Sequence, residues 1–314
     1  MTDAVAMLGR ARRPVVLGIG GGGDVVGAMA TAEYARLYWD AAPTLGGVTW
    51  ERRPIDPLPG PRRADEIEGA RELAPAVLAA RAETCVRSNR VRFAESRLAE
   101  LLGEEVLLID PNVGPTGVAA GLEAAADDLR ADLFVFVDVG GDVLAHGHEP
   151  HLASPLCDAV MLAAAARLAD AGRPVLGAVF GPGCDGELTL SELDERLSEG
   201  GAAGGLAGAC GLTQAVAERL QLAVEAVPTE ASAQPLRAFR GEHGETSIRA
   251  GRRSLRLSSA AALTAYFDVG AALRSAARLA AAVRETTSLD EANDALHAQG
   301  VRTELDLERA AVDD

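Results

Sequence analysis

Apolar runs of four to six residues recur along the chain, each closed by a Gly- or Asp-rich turn and followed by a longer stretch of helical period. A short apolar run bounded by turn residues reads as a buried strand, and a longer stretch with apolar positions three to four apart reads as a helix. Their alternation is the pattern of βα units around a mainly parallel sheet. It predicts strands at Val15 to Ile19, Leu45 to Trp50, Val106 to Ile109, Leu133 to Val137 and Val175 to Phe180. Helices are expected over Val25 to Tyr38, Arg92 to Leu102, Thr116 to Leu129, Pro155 to Ala171 and Leu212 to Ala226. The stretch Ala64 to Arg90 fits either a helix or a helix plus a strand.

After Pro228 the pattern changes. Thr246-Ser247-Ile248-Arg249 and Ser254-Leu255-Arg256-Leu257 alternate around Ala250-Gly251, as the arms of a hairpin do. Ala260 to Arg284 is alanine-rich and periodic, so a helical tail is expected there, and Ser288-Leu289-Asp290-Glu291 spells a capping box that starts another helix. Gly200 to Gly211 reads as a flexible loop over the sheet or as a lid. The expected fold is α/β, a Rossmann-like doubly wound, mainly parallel sheet with a C-terminal β-hairpin and helical tail. Residues 1–227 would form the ligand-binding core, and 228–314 would complete the same domain.

Composition narrows the chemistry. All 30 basic side chains are arginine, against 46 acidic ones, for a formal net charge of −16. Without lysine there is no P-loop of the G-x-x-x-x-G-K-[ST] type, no Schiff base and no lysine-anchored pyridoxal phosphate. So acidic a chain lacks the basic face that releases counterions from a nucleic acid, and eleven aromatic residues are too few for a base-stacking platform. Cys85, Cys157, Cys184 and Cys210 stand far apart with no C-x-x-C pair, which removes a zinc ribbon or a redox dithiol. No apolar stretch reaches 18 residues and no basic leader opens the chain, so a cytoplasmic protein with reduced thiols is expected, without a membrane partner.

In an open parallel sheet ligands bind beyond the carboxyl ends of the strands, so the loops after each strand carry the functional information. The first is Gly18-Ile19-Gly20-Gly21-Gly22-Gly23-Asp24, which matches G-x-G-x-x-G at Gly18, Gly20 and Gly23 between a strand and a helix. Its bare amides, Gly21 and Gly22 included, would cradle an anion at the helix N-terminus without any lysine. Strand two ends in Trp50-Glu51, where a Rossmann domain carries the acid that binds an adenosine ribose, and Arg52 and Arg53 follow. Asp24 argues against a plain nicotinamide dinucleotide, because its carboxylate would repel a pyrophosphate; it either caps its own helix or faces a metal or hydroxyl-bearing ligand.

A second loop, Asp110 to Gly117, ends a strand and starts a helix. The third places Asp138 and Asp142 four residues apart across Gly140-Gly141, with His146, His148 and His151 close behind. Carboxylates beside imidazoles can move protons near neutral pH or hold a divalent ion. The H-x-H-E-x-H spacing is not that of a helical zinc site, and an oxygen-rich set suits Mg²⁺ better. The fourth loop, Phe180-Gly181-Pro182-Gly183-Cys184-Asp185-Gly186-Glu187, offers Asp185 and Glu187 as ligand or metal contacts, with Cys184 more plausible as packing than as a nucleophile. Arg237, Arg240, Arg249, Arg252, Arg253 and Arg256 gather in and before the hairpin, as phosphate clamps or as protection of an exposed edge.

Gly18 to Ala28, Gly47 to Pro57, the Asp138 to Asp142 loop, the Phe180 to Leu188 loop and the closing Leu289-Asp290-Glu291-Ala292-Asn293 and Thr303-Glu304-Leu305-Asp306 together resemble the family called domain of unknown function 1152. The resemblance implies a single α/β unit of prokaryotic cytoplasm and no activity that transfers to any residue.

The residues point first to an enzyme acting on a small phosphorylated or nucleotide-like metabolite, by cleavage of a glycosyl or phosphate bond. Gly20 to Gly23 would bind the anion; Asp138, Asp142 and Asp185 would hold Mg²⁺ or sugar hydroxyls; Asp142 with His146 or His148 would do the catalytic work. The alternatives are an NAD(P)-dependent oxidoreductase with Glu51 on the ribose, and a non-catalytic nucleotide-binding regulator that uses residues 200–211 as a switch. The partner expected is a small anionic ligand and not a nucleic acid, with a homo-oligomer left open.

Overall fold

The computed structural model describes residues 2–313. Strands in chain order are β1 (Pro14–Gly18), β2 (Thr44–Val48), β3 (Ile67–Glu68), β4 (Arg71–Ala74), β5 (Val77–Ala80), β6 (Cys85–Val86) and β7 (Val106–Ile109). They continue with β8 (Leu133–Val139), β9 (Val175–Phe180), β10 (Leu206–Gly211), β11 (Gly244–Ile248), β12 (Arg253–Leu257) and β13 (Leu263–Phe267). Nine of them form one sheet in the order β10-β13-β9-β8-β1-β2-β7-β5-β4. The central five, β9, β8, β1, β2 and β7, are parallel. Numbered along the chain they run 3-2-1-4-5, the order of a Rossmann sheet, with the reversal between β1 and β8.

Helices α1 (Ala4–Arg10), α2 (Asp24–Trp39) and α3 (Ala94–Leu102) lie on one face, and α4 (Gly114–Leu129) and α5 (Pro155–Asp170) on the other. The period-two alternation of the strands divides the core between these layers. Phe134 and Phe136 of β8 face the α4–α5 side, while Val135 and Val137 face the α2 side. β1, β7, β8 and β9 are buried along their whole lengths, as parallel strands covered on both faces must be. Gly27 matters for this packing, because a side chain there would run into Val139 and Phe180 and lift α2 off the sheet.

Helices α6 (Leu190–Ala202), α7 (Gln214–Ala226), α8 (Gln234–Phe239), α9 (Val269–Leu273), α10 (Arg278–Val283), α11 (Leu289–His297) and α12 (Glu304–Asp313) complete the chain. None of the helices is long and apolar enough to cross a membrane among the described residues.

Three expectations are corrected. Residues 64–90 hold no α-helix: a single 3₁₀ turn at Ala64–Glu66 leads into β3 to β6, and β5 and β4 extend the sheet antiparallel to β7. The glycine-rich stretch 200–211 is not a loop, since it ends α6 and then forms β10 on the sheet edge. Ala260 to Arg284 is not one helix either, for it contains β13, inserted between β9 and β10. Local composition favours a helix there, but two flanking ladders of hydrogen bonds and the burial of Tyr266 and Phe267 outweigh propensity.

The insertion of β13 sets the position of the hairpin. β13 runs antiparallel to β9 and begins at its carboxyl end, with Thr264 opposite Phe180 and Gly181 donating to the Leu263 carbonyl at 3.0 Å. The preceding β11–β12 hairpin therefore stands over the loop that follows β9. Gly177 of β9 makes this pairing fit, because a Cβ there would occupy the space of the Phe267 ring. Gly177→Ala should lower unfolding free energy by about 1–3 kcal/mol, the usual range for overpacking, as measured by urea denaturation; an unchanged midpoint would place Phe267 elsewhere.

Candidate functional site

The switch point between β1 and β8 opens into a cleft of about 830 Å³. The glycine loop after β1, the Asp138–Asp142 turn, the β9 loop, the start of α5, the hairpin and α12 all reach it. Its floor is acidic.

Asp24 is the first residue of α2, and Gly23, not Asp24, takes the cap position. The carboxylate turns back over the loop, where Oδ2 accepts the Gly20 N–H at 2.9 Å and the Val139 N–H at 3.4 Å. Asp138 comes from the end of β8 and accepts the Val143 N–H through Oδ2 at 3.2 Å, while its Oδ1 has no partner. Asp158, in the first turn of α5, also keeps an unpartnered Oδ1. One carboxylate oxygen from each of these three residues lies within 4.8 Å of the others.

A second group has the same compactness: Asp142, Asp185 and Glu187. Gly140 and Gly141, at φ +121° and +119°, make the turn that delivers Asp142, and a side chain on Gly140 would displace the Asp185 carboxyl. Glu187 is fully engaged: it accepts N–H groups from Ala153 (2.7 Å) and Ser154 (2.9 Å), the Ser154 hydroxyl, and a 2.6 Å bond from the Arg253 guanidinium. Among the described residues the Asp185 carboxylate accepts only the Glu187 N–H at 3.3 Å, and Asp142 Oδ2 has no partner.

Burial in an apolar surround disfavours each charge, and neighbouring carboxylates add to the effect. Burial pushes Asp24 and Asp185 up to about 7. Asp138, Asp142 and Asp158 are raised well above the usual carboxylate range, first by burial and then by Asp24, Glu187 and Asp138 respectively. Glu187 goes the other way, because Arg253 and the Ser154 and Ala153 donors overcome its burial.

Cationic groups line the same cleft. Arg52 lies over the Trp50 ring at 4.1 Å, donates to the Gly20 carbonyl and pairs with Glu304 (3.3 Å) and Glu308 (3.9 Å) of α12. Glu304 in turn accepts the Leu156 and Cys157 N–H groups at the start of α5. Arg249 and Arg252 line the cleft from the hairpin, and neither forms a carboxylate ion pair among the described residues.

The structure brings Asp24, Asp138, Asp142 and Asp185 together in one cleft with Gly20 to Gly23 and Glu51. Gly18 is behind it, where a Cβ would strike the α2 backbone. The glycine amides are less free than an anion nest requires: Gly20 donates to Asp24, and Gly22 to the Trp50 carbonyl at 2.8 Å. Glu51 caps α3 by accepting the Ala94 N–H, leaving Oε2 without a partner, and burial pushes its carboxyl up to about 7. His146 and His148 are not brought to the cleft. They stand together at 5.7 Å in a separate corner, with His146 Nε2 3.1 Å from Glu199 and Glu149 tied to the His146 and Gly147 amides. Cys184 is buried and its thiol raised by that burial, which suits packing.

Sequence reading missed Asp158 and Glu304. Asp158 carried a weak signal, an acid in the first turn of a helix that starts at a strand-end loop; Glu304 carried none, since it reaches α5 from about 150 residues away.

The family model described as Protein of unknown function (DUF1152) matches residues 15–312. The chain belongs to this family. Neither a curated protein nor a solved structure matches it. In this DUF1152 chain the matched span takes in both carboxylate groups, the hairpin and Glu304.

Carboxyls whose folded-state pKa is raised bind protons more readily in the folded chain than in the unfolded one, so stability falls as pH rises from about 4 to about 7 and beyond. Protein stripped with chelator should therefore melt higher at pH 5 than at pH 8, and Mg²⁺ or Mn²⁺ added at pH 8 should recover the lost stability. Asp158→Asn keeps the shape and removes a buried carboxyl that raises its neighbours as well as being raised by them, so it should narrow the fall in melting temperature between pH 5 and pH 8. Differential scanning calorimetry reads all three, and a melting temperature that climbs steadily with pH would contradict the buried acidic cluster.

Proposed function

We propose that this chain is a divalent-cation-dependent enzyme that cleaves or transfers a phosphate or glycosyl bond of a small phosphorylated or nucleotide-like metabolite. The observation that carries the reading is the cleft's polarity: unpartnered, buried oxygens on Asp138, Asp142 and Asp158 share it with Arg249 and Arg252, neither of which pairs with a carboxylate among the described residues. Buried charges left unpaired are expensive, so such an arrangement is favoured when the missing partners arrive with a ligand. A hard cation satisfies the carboxylates, and a phosphate satisfies the guanidinium forks. A phosphorylated metabolite with Mg²⁺ supplies both.

The cation would polarise the reacting phosphate or hydroxyl oxygen and offset developing charge. The chain's own groups do the rest. Arg249 and Arg252 orient the anionic end of the ligand from the hairpin. Glu51 lines the cleft, its Oε2 has no partner among the described residues and burial pushes its carboxyl up to about 7, which supports it as the group that exchanges a proton near neutral pH, the role first expected of the histidines.

Two features weigh against a dinucleotide. Asp24 occupies the Gly20 amide that a pyrophosphate would use, and Glu51 is tied to Ala94. The regulatory alternative is weakened because residues 200–211, its expected switch, end α6 and form β10 on the sheet edge.

The test is a panel of sugar phosphates, nucleotides and nucleosides incubated with purified protein and Mg²⁺ or Mn²⁺, followed by mass spectrometry. Turnover of at least one phosphorylated compound is expected, abolished by chelator. Asp142→Asn should lower kcat by about 10²–10³, as loss of a charge-stabilising group does, and Arg249→Ala should raise KM about tenfold, the size of one lost charge-assisted contact. Protein that binds such compounds but never changes one would instead be a non-catalytic binder.

A further inference from the structure

We infer that the cleft holds two divalent cations, a first on Asp24, Asp138 and Asp158 and a second on Asp142, Asp185 and Glu187. The inference rests on the reading that the cleft takes a divalent cation at all, and it goes further by fixing the number of ions and their ligands. Each trio offers three oxygens within 4.8 Å of one another. Ligands on one Mg²⁺ or Mn²⁺ stand about 2.0–2.2 Å from the ion, so oxygens on opposite sides are about 4–4.5 Å apart. Each trio thus matches the reach of one ion.

Both trios also contain buried oxygens that no group among the described residues satisfies. Asp138 and Asp158 are each 1% exposed and Asp142 is 4% exposed, yet Asp138 Oδ1, Asp158 Oδ1 and Asp142 Oδ2 have no hydrogen-bond partner. Orphaned acceptors at such depth mark a missing partner. The fixed cations do not meet these oxygens: Arg253 pairs with Glu187 alone, and Arg52 with Glu304 and Glu308. A single divalent ion would leave one trio, with its orphaned buried oxygen, unmatched.

The two sites differ in strength for a structural reason. The first trio has two free oxygens and no ion-paired arginine. In the second, Glu187 is already spent on Ser154, Ala153 and Arg253, and the Arg253 guanidinium opposes a further cation. The first ion should bind more tightly. Two ions in one cleft would favour phosphate-bond over glycosyl-bond chemistry, since a pair of cations suits the attacking and leaving oxygens of a phosphoryl displacement.

The experiment uses the full chain, stripped with chelator and titrated with Mn²⁺ alone at pH 8, with isothermal calorimetry and electron paramagnetic resonance counting bound ions. Two ions per chain are expected, the first held about tenfold more tightly, or about 1.4 kcal/mol. Asp158→Asn should remove the tight class and leave a weak one. Asp185→Asn should do the reverse, leaving the tight ion with its affinity changed less than about threefold, and circular dichroism verifies that both variants fold. One ion in the wild type, or loss of all binding in either folded variant, would overturn the two-ion arrangement while leaving a cation-dependent enzyme standing. No bound Mn²⁺ at millimolar concentration would overturn both.

Discussion

Carboxylates crowded out of water repel one another and lose hydration together, and much of the structure around the switch point offsets that one constraint. Asp24 bends back onto the Gly20 and Val139 amides, Asp138 takes the Val143 amide, and Glu187 takes two amides, a hydroxyl and Arg253. These donors reach some oxygens and not others. What stays unsatisfied on Asp138, Asp142 and Asp158 is the part of the cleft that the proposed cation would complete.

The absence of lysine sharpens this picture. In origin it is best explained by coding composition. In consequence every fixed cation in the cleft is a guanidinium, which stays charged and bonds through a planar fork. Arg52 uses that fork to join the glycine loop to α12, and Arg253 to join the hairpin to the β9 loop. Both are structural ties. Arg53 is spent on the Pro57 and Ala311 carbonyls, whereas Arg249 and Arg252, which form no carboxylate ion pair among the described residues, stand on the hairpin that β13 holds above the carboxyl end of β9.

Much of this was legible from residue order. Strands β7 and β9 begin and end where the apolar runs do, and β1, β2 and β8 depart from expectation by one or two residues. Asp138, Asp142 and Asp185 could be picked out because strand-end acids beside glycines are local patterns. The misreadings share one cause. β13, β10 and β3 to β6 are short segments whose composition permits several conformations, and their ladders with distant strands decide among them. His146 and His148 misled because nearness in sequence to Asp142 was taken as nearness in space, whereas the 3₁₀ turn Asp142–Leu144 leads the chain away.

The sequence by itself determined the βα alternation, the lysine-free charge set and which loops carry acids, because period, composition and turn chemistry act over a few residues. Only the tertiary structure decided how those acids are grouped. Strand order reverses between β1 and β8, so Asp24 meets Asp138 and the start of α5 brings Asp158 to both, while the β9 loop pairs with Asp142 instead. Such a grouping depends on which strands are neighbours and how far each carboxylate is removed from water. Both are properties of the packed sheet and its covering helices, and no stretch of the chain encodes them alone.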